Sequence, residues 1–162
     1  MREILQMLPV RCALAEAVVN EAIYVLRGGN GDDAAEQEPV DLRPFTAAGL
    51  VEVWRPEKEA EYADFVNFAV DIDDGEAITC ALALHRSGAV VTDDRKTLRI
   101  LSIRASQLRV FTTTQVVKLW AESARVDKAV LRATLLDIQT RARFVPGKQD
   151  PLLDWWKDVF QQ

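Results

Sequence analysis

The chain has 162 residues, 49% of them hydrophobic and 28% charged, the size and make-up of one globular domain. No apolar run approaches the roughly 20 residues that span a bilayer and no basic-then-apolar leader opens the chain, so the expected compartment is the cytoplasm. The net charge of −5 argues against binding nucleic acid by bulk charge, yet it is unevenly spread: residues 28–75 carry 13 acids and 3 bases, residues 76–162 carry 9 acids and 14 bases.

Residues 1–7 read as a short helical turn stopped by Pro9, and residues 10–13 as an extended segment. The spacing predicts a helix over residues 15–27, ended by Gly28 and Gly29. Glu16, Asn20 and Arg27 mark its solvent face, and Leu14, Val18 and Val25 its apolar side. Glu21 falls on that apolar side, where a glutamate either snorkels at the core edge or is aimed into a site. Residues 28–48 hold turn formers, acids and two prolines without a period, and read as a loop. A β-branched alternation predicts a strand over residues 50–54. Pro56, with Glu57, Glu59 and Glu61 behind it, opens a helix to about residue 70; its apolar positions are Tyr62, Phe65, Val66 and Ala69.

Residues 75–86 form an alanine-rich helix, apolar nearly all round and therefore buried. Ser87 and Gly88 end it, and residues 89–92 make a short apolar strand of the parallel-sheet kind. Further along, the pattern gives a helix over 95–103, a strand over 108–112 and a helix from Thr113 or Thr114 to about 122. A long helix follows over 127–143, with Val130, Leu131, Leu135, Leu136 and Ile138 inward. Asp150-Pro151 signals a last helix, in which Leu152, Trp156, Val159 and Phe160 share a face and Trp155 points aside. Trp155 then either packs within the chain, against residues 28–48 or the long helix, or meets a dimer or other protein partner. Cys12 and Cys80 read as reduced core residues, since no CxxC spacing exists. His85 is the one histidine, a capping or surface residue, which speaks against a zinc site or a Ser-His-Asp triad.

The chemistry gathers in residues 71–99. In a parallel α/β fold, the N-terminus of a helix and the C-terminal end of a strand lie at one sheet edge. Glu76 occupies the first position, Asp93 and Asp94 the second. Carboxylates that converge without paired bases repel one another and call for a divalent cation. Asp93 or Asp94 caps the helix that follows, but a helix needs one cap and two are present. Arg95, Lys96 and Arg99 come next, either as plain surface charge or as counter-charges able to hold a phosphate.

Three stretches, Val18-Val19-Asn20-Glu21, Gly75-Glu76-Ala77 with its Ala-Leu-Ala run, and Val90-Val91-Thr92-Asp93-Asp94-Arg95, resemble the PIN-domain family in order and spacing. That family consists of metal-dependent nucleases, many of them toxins of toxin–antitoxin pairs. The resemblance covers residues 1–114. It implies an α/β fold of three α/β/α layers around a short central parallel sheet, with residues 115–162 as a helix-rich extension packed on the same domain. It also implies that Glu21, Glu76 and Asp94, with Asp93 as neighbour or substitute, hold Mg²⁺ or Mn²⁺ and carry catalysis. Thr92, Arg95, Lys96 and Arg99 would then meet phosphate or RNA. Single-stranded RNA is the implied substrate, a small antitoxin and a homodimer the implied partners, with no membrane involved.

The chain departs from the family at its start. The family's first acid sits on an N-terminal strand of the type apolar-apolar-Asp-Thr/Ala, and residues 1–5 resemble the helix that follows that strand. Either the start was assigned downstream of the true one, or a strand and a ligand were lost. The second case favours an inactive or truncated PIN scaffold that binds RNA or a protein. A phosphate-accepting receiver domain needs an acidic pair near its first strand and a phosphorylatable Asp on a later one, and this sequence shows neither; nor does a Gly-rich phosphate loop follow a strand.

Overall fold

An alanine-rich helix with a capped start is the element on which the others lean. In the computed structural model, which describes residues 2–21, 23–27 and 36–161, this helix is α5 (Asp74–His85). Asp73 caps it, its Oδ1 accepting the Glu76 N–H at 3.0 Å. Ala77, Cys80, Ala81 and Ala83 are buried along it. Side chains this small let neighbouring backbones come close, and α5 packs on α4 (Glu59–Ala69) and on two strands, β1 (Cys12–Ala15) and β5 (Ala89–Val91). Phe68, Ile72, Val90, Ile100, Leu101 and Leu108 complete this first core.

The elements before α4 are α1 (Arg2–Met7), β1, α2 (Glu16–Val19), β2 (Tyr24–Arg27), β3 (Glu36–Pro39), α3 (Arg43–Ala47) and β4 (Val51–Trp54). After β5 come α6 (Arg95–Arg104), β6 (Arg109–Phe111), α7 (Thr113–Ser123), α8 (Lys128–Arg141) and α9 (Leu153–Gln161). The chain is therefore mixed α/β, as expected, but its described strands do not form one central sheet. β1 pairs in parallel with β4, Cys12 opposite Val51 through Ala15 opposite Trp54. β5 pairs in parallel with β6, Ala89 opposite Arg109 through Val91 opposite Phe111. β2 and β3 make a separate antiparallel pair.

The helix expected over residues 15–27 is not found. Leu14 and Ala15 belong to β1, α2 is four residues long without a side-chain cap from Ala15, and Val25 lies in β2. Short uncapped helices are marginal. Ile23, Tyr24 and Val25 are β-branched or aromatic and suit an extended chain that finds a partner strand. Val25 therefore shares no helix face with Leu14 and Val18. The loop expected over 28–48 contains β3 and α3; its residues 28–35, and the Gly28-Gly29 stop, lie outside the described residues. The remaining expected elements appear within a few residues of their predicted bounds.

A second core joins α7, α8 and α9 with α1. Val117, Trp120, Leu135 and Trp156 are its buried members, with Ile4 and Leu8 packed against them. Trp156 meets Phe144 edge to face, ring centroids 5.8 Å apart. Two of the residues expected inward on α8, Val130 and Leu136, are exposed. Thr112, not Thr113 or Thr114, caps α7. Asp150 opens the turn before α9 by accepting the Leu152 N–H, so α9 starts at Leu153 instead of Pro151. Of the adjacent tryptophans, Trp156 is buried, while Trp155 packs at the edge of the same core with the Lys118 ammonium 5.9 Å from its ring centre. Among the described residues no helix is long and apolar enough to cross a membrane.

Candidate functional site

The end of β5 and the starts of α5 and α6 meet in a closed ring of hydrogen bonds. Glu76, in the first turn of α5, accepts from the Thr92 hydroxyl at 3.1 Å on Oε1 and from the Thr97 hydroxyl at 2.5 Å on Oε2. The Thr92 N–H donates to the Phe111 carbonyl, which anchors this residue to β6. The Thr92 hydroxyl also accepts the Asp94 N–H at 3.1 Å. Asp94 caps α6, its Oδ1 accepting the Thr97 N–H at 2.8 Å. The ring thus runs Glu76, Thr92, Asp94, Thr97 and back to Glu76, joining two carboxylates through two threonines. The Thr97 N–H, and after it the Thr97 hydroxyl and the Lys96 N–H, hold the Asp94 carboxyl below the usual carboxylate range, against the opposing effect of burial. Asp94 therefore stays ionised through neutral pH.

Glu21 reaches the same helix end from another element. It follows α2, and its Oε1 lies 2.6 Å from where a Cβ on Gly75 would stand. Val18 and the Asp73 Oδ1 lie 3.5 and 3.6 Å from that point. Gly75 is the residue before Glu76, so the absence of a side chain there lets Glu21 rest on the first turn of α5. The positive end of the helix dipole favours a carboxylate at this place. A pocket of about 290 Å³ opens beside Glu21, lined among others by Val19, Ile23, Leu42 and Val53. A larger one, about 420 Å³, is lined by Tyr24, Leu26, Gln37 and residues 141–143 and touches none of these acids.

Asp93 turns the other way. Its Oδ1 accepts the Thr113 N–H at 3.1 Å and its Oδ2 the Thr113 hydroxyl at 2.5 Å, so both oxygens serve the start of α7. The second aspartate, unexplained as a cap of α6, is explained as a clasp on α7. Arg95, Lys96 and Arg99 are exposed, with an Arg95 guanidinium nitrogen 3.5 Å from the Cβ position of Gly147. Thr92, expected at phosphate or RNA, has its hydroxyl engaged with Glu76 and Asp94. Thr97 is a residue that sequence reading missed. The signal for it is slight: a threonine at the third helical position, on a turn already capped by Asp94, where an apolar residue would serve packing equally well.

Burial, and then the negative charges of Glu76 and Asp73, push the Cys80 thiol up to about 12. It stays protonated and takes no part as a nucleophile or thiolate ligand. Cys12 is half-buried and both cysteines are free. His85 lies within 2.7 Å of Asp64 by its Nε2, at the far end of α5 from Glu76.

Carboxylate and hydroxyl oxygens are donors of the kind that Mg²⁺ and Mn²⁺ prefer, and no Cys and His pair competes for zinc. In number they fall short. Among the described residues no three carboxylate, His or Cys groups are gathered closely enough to hold a metal ion. The donor atoms suit such a cation in chemistry but not in number. Comparison with protein-family models, with curated proteins and with solved structures finds no match for this chain.

Proposed function

We propose that this chain is a metal-dependent endoribonuclease of the PIN type, the toxin of a toxin–antitoxin pair, hydrolysing phosphodiester bonds in single-stranded RNA. The observation that carries the reading is the hydrogen-bonded ring that ties Glu76, at a helix N-terminus, to Asp94, at a strand end. In this reading Glu76 and Asp94 are the ordered carboxylates of the site, and Glu21 approaches across Gly75. Glu76 and Asp94 would hold a Mg²⁺ or Mn²⁺ ion, whose chemistry there would be to activate a water and shield the phosphate charge. Arg95, Lys96 and Arg99 attract the RNA backbone, and Asp93 keeps α7 in place beside them. A small antitoxin and a second copy of the chain are the proposed partners.

The finer fold belongs to the same proposal. β1 and β5 both pack on α5, each paired on one side to its own partner strand. In a three-layer PIN fold, an extended segment with an acid would join these two pairs into one sheet and add the ligand the site lacks. The partial ligand set favours a second reading, a scaffold that binds RNA or protein without cleaving it. Two measurements separate them. In-frame codons upstream of Met1 that encode an apolar strand with Asp support the nuclease. Mn²⁺-dependent cleavage of single-stranded RNA by the chain so extended, lost in Glu76→Gln, is the expected result. Cleavage that persists in Glu76→Gln, or RNA binding without any cleavage, overturns it.

A further inference from the structure

We infer that Thr97 is the positioning residue of this site, a buried hydroxyl that locks Glu76 onto Asp94 so that the two carboxylates act as one unit. The inference rests on the metal-nuclease reading above. Thr97 is fully buried, on the same face of α6 as Ile100 and Leu101. Packing on that face asks only for an apolar residue of this size. A buried hydroxyl without a partner costs free energy, so its presence is informative only through the group it meets. That group is Glu76 Oε2, at 2.5 Å. The backbone of the same residue donates to Asp94 Oδ1. One residue therefore binds both acids, the first through its side chain and the second through its main chain.

Thr92 cannot do this alone. It is half-buried, it holds only the other oxygen of Glu76, and its hydroxyl is shared with the Asp94 N–H. A glutamate side chain has several rotatable bonds, and fixing it costs rotamer entropy. Two hydroxyls, one on each oxygen, fix the carboxylate plane as well as its position. With Thr97 as valine, Glu76 keeps the Thr92 contact and becomes free to swing its second oxygen away from Asp94. Partners of this kind set how well a carboxylate binds a metal; losing one typically weakens metal binding about 10–100-fold.

The test is Mn²⁺ titration followed by electron paramagnetic resonance, on the full chain and on Thr97→Val, Thr97→Ser and Glu76→Gln, with thermal melts of each. Mn²⁺ bound by the unaltered chain and lost in Glu76→Gln is expected. Thr97→Val should bind about tenfold more weakly or worse while still melting cooperatively, and Thr97→Ser, which keeps the hydroxyl, should restore most of the affinity. Should the valine variant fail to fold, Thr97→Ala takes its place in the comparison. Unaltered affinity in Thr97→Val beside a damaged Glu76→Gln overturns the role of Thr97 and leaves the nuclease reading standing. Serine as poor as valine also overturns it, because the hydroxyl is then not the cause. No Mn²⁺ binding by the unaltered chain removes both.

Discussion

The two largest cores among the described residues are built from different materials. The first, around α5, buries alanines, a cysteine, medium aliphatic residues and a single aromatic ring, Phe68. The second, among α1, α7, α8 and α9, buries two tryptophans, a leucine and a valine. Small side chains bring backbones together, and at such distances a carboxylate on one element reaches a hydroxyl on the next. The first core accordingly carries polar structure at its rim: the Glu76 ring, the Asp73 cap and a buried ion pair between Glu61 and Arg86. Large aromatic rings bury much area but hold elements apart. In the second core Thr114 at the start of α7 donates to Asp150 before α9, and the neighbouring Thr113 reaches across to Asp93 beside the first core. Close packing of small residues makes precise polar placement possible; packing of large ones mainly supplies adhesion.

The largest expected effect falls in the second core. Trp156→Ala removes a side chain that is 1% exposed and in edge-to-face contact with Phe144, and should cost about 4 kcal/mol. Urea denaturation followed by circular dichroism reads this directly. The two cores are joined where Asp93, after β5, accepts from Thr113 at the start of α7, so a single transition is expected. Two transitions would show that the cores are separable, and a loss below about 1 kcal/mol would mean that α9 is not integral to the fold.

Arg86→Met breaks the first core at its ion pair, at an expected cost of about 3 kcal/mol. Glu61 is 0% exposed and accepts from Arg86 Nε at 2.8 Å and from the N–H groups of Glu57 and Lys58. Arg86 also donates to the Arg55 carbonyl and lies over the Trp54 ring. The Arg86 hydrogen bond is the main cause that lowers the Glu61 carboxyl to about 2, from an ordinary 4.5. A carboxyl depressed on folding contributes stability that is complete above its unfolded value and is lost as pH falls through its folded one. Stability of the unaltered chain should therefore decline between pH 4.5 and about 2. In Arg86→Met the Glu57 and Lys58 N–H groups alone oppose the burial penalty, so the Glu61 contribution shrinks and the decline on acidification becomes shallower. A pH series of urea midpoints checks this, and an unchanged slope in the variant contradicts it.

How much of this was legible in the sequence follows the same division. The α5 to α6 stretch announces itself because each boundary has a local cause. Asp73 and Asp94 cap helices through their own side chains, Ser87 ends α5 at a positive φ of 52°, and the alanine run leaves no polar face. Residues 15–27 mislead because the apolar spacing there fits a helix and nothing local forbids one. The decisive fact, that β2 finds β3, lies in a partner strand whose paired residues run from Glu36, opposite Arg27, to Pro39, opposite Tyr24. The acids Glu76 and Asp94 were legible as a pair, from their place at a helix start and a strand end. Thr97 and the clasp of Asp93 on Thr113 were not, since each depends on a contact about 20 residues distant in the chain.

The smallest expected effect on stability is the most telling about the site. In Gly75→Ala the new methyl would stand 2.6 Å from Glu21 Oε1, closer than any real contact. The obstacle is the far end of a flexible side chain, so Glu21 gives way and the backbone does not. Gly75 sits inside α5, away from the left-handed region, where alanine is the better helix former by about 0.5–1 kcal/mol. The variant should therefore be as stable as the original chain or slightly more so. Its Mn²⁺ affinity should nevertheless fall, because Glu21 is displaced from the first turn of α5 while the Glu76 ring is untouched. The two measurements, a thermal melt and a Mn²⁺ titration, move in opposite directions only if Glu21 belongs to the site. Unchanged affinity would make its place over Gly75 a matter of helix dipole and packing alone, and would reduce the candidate ligands to Glu76 and Asp94.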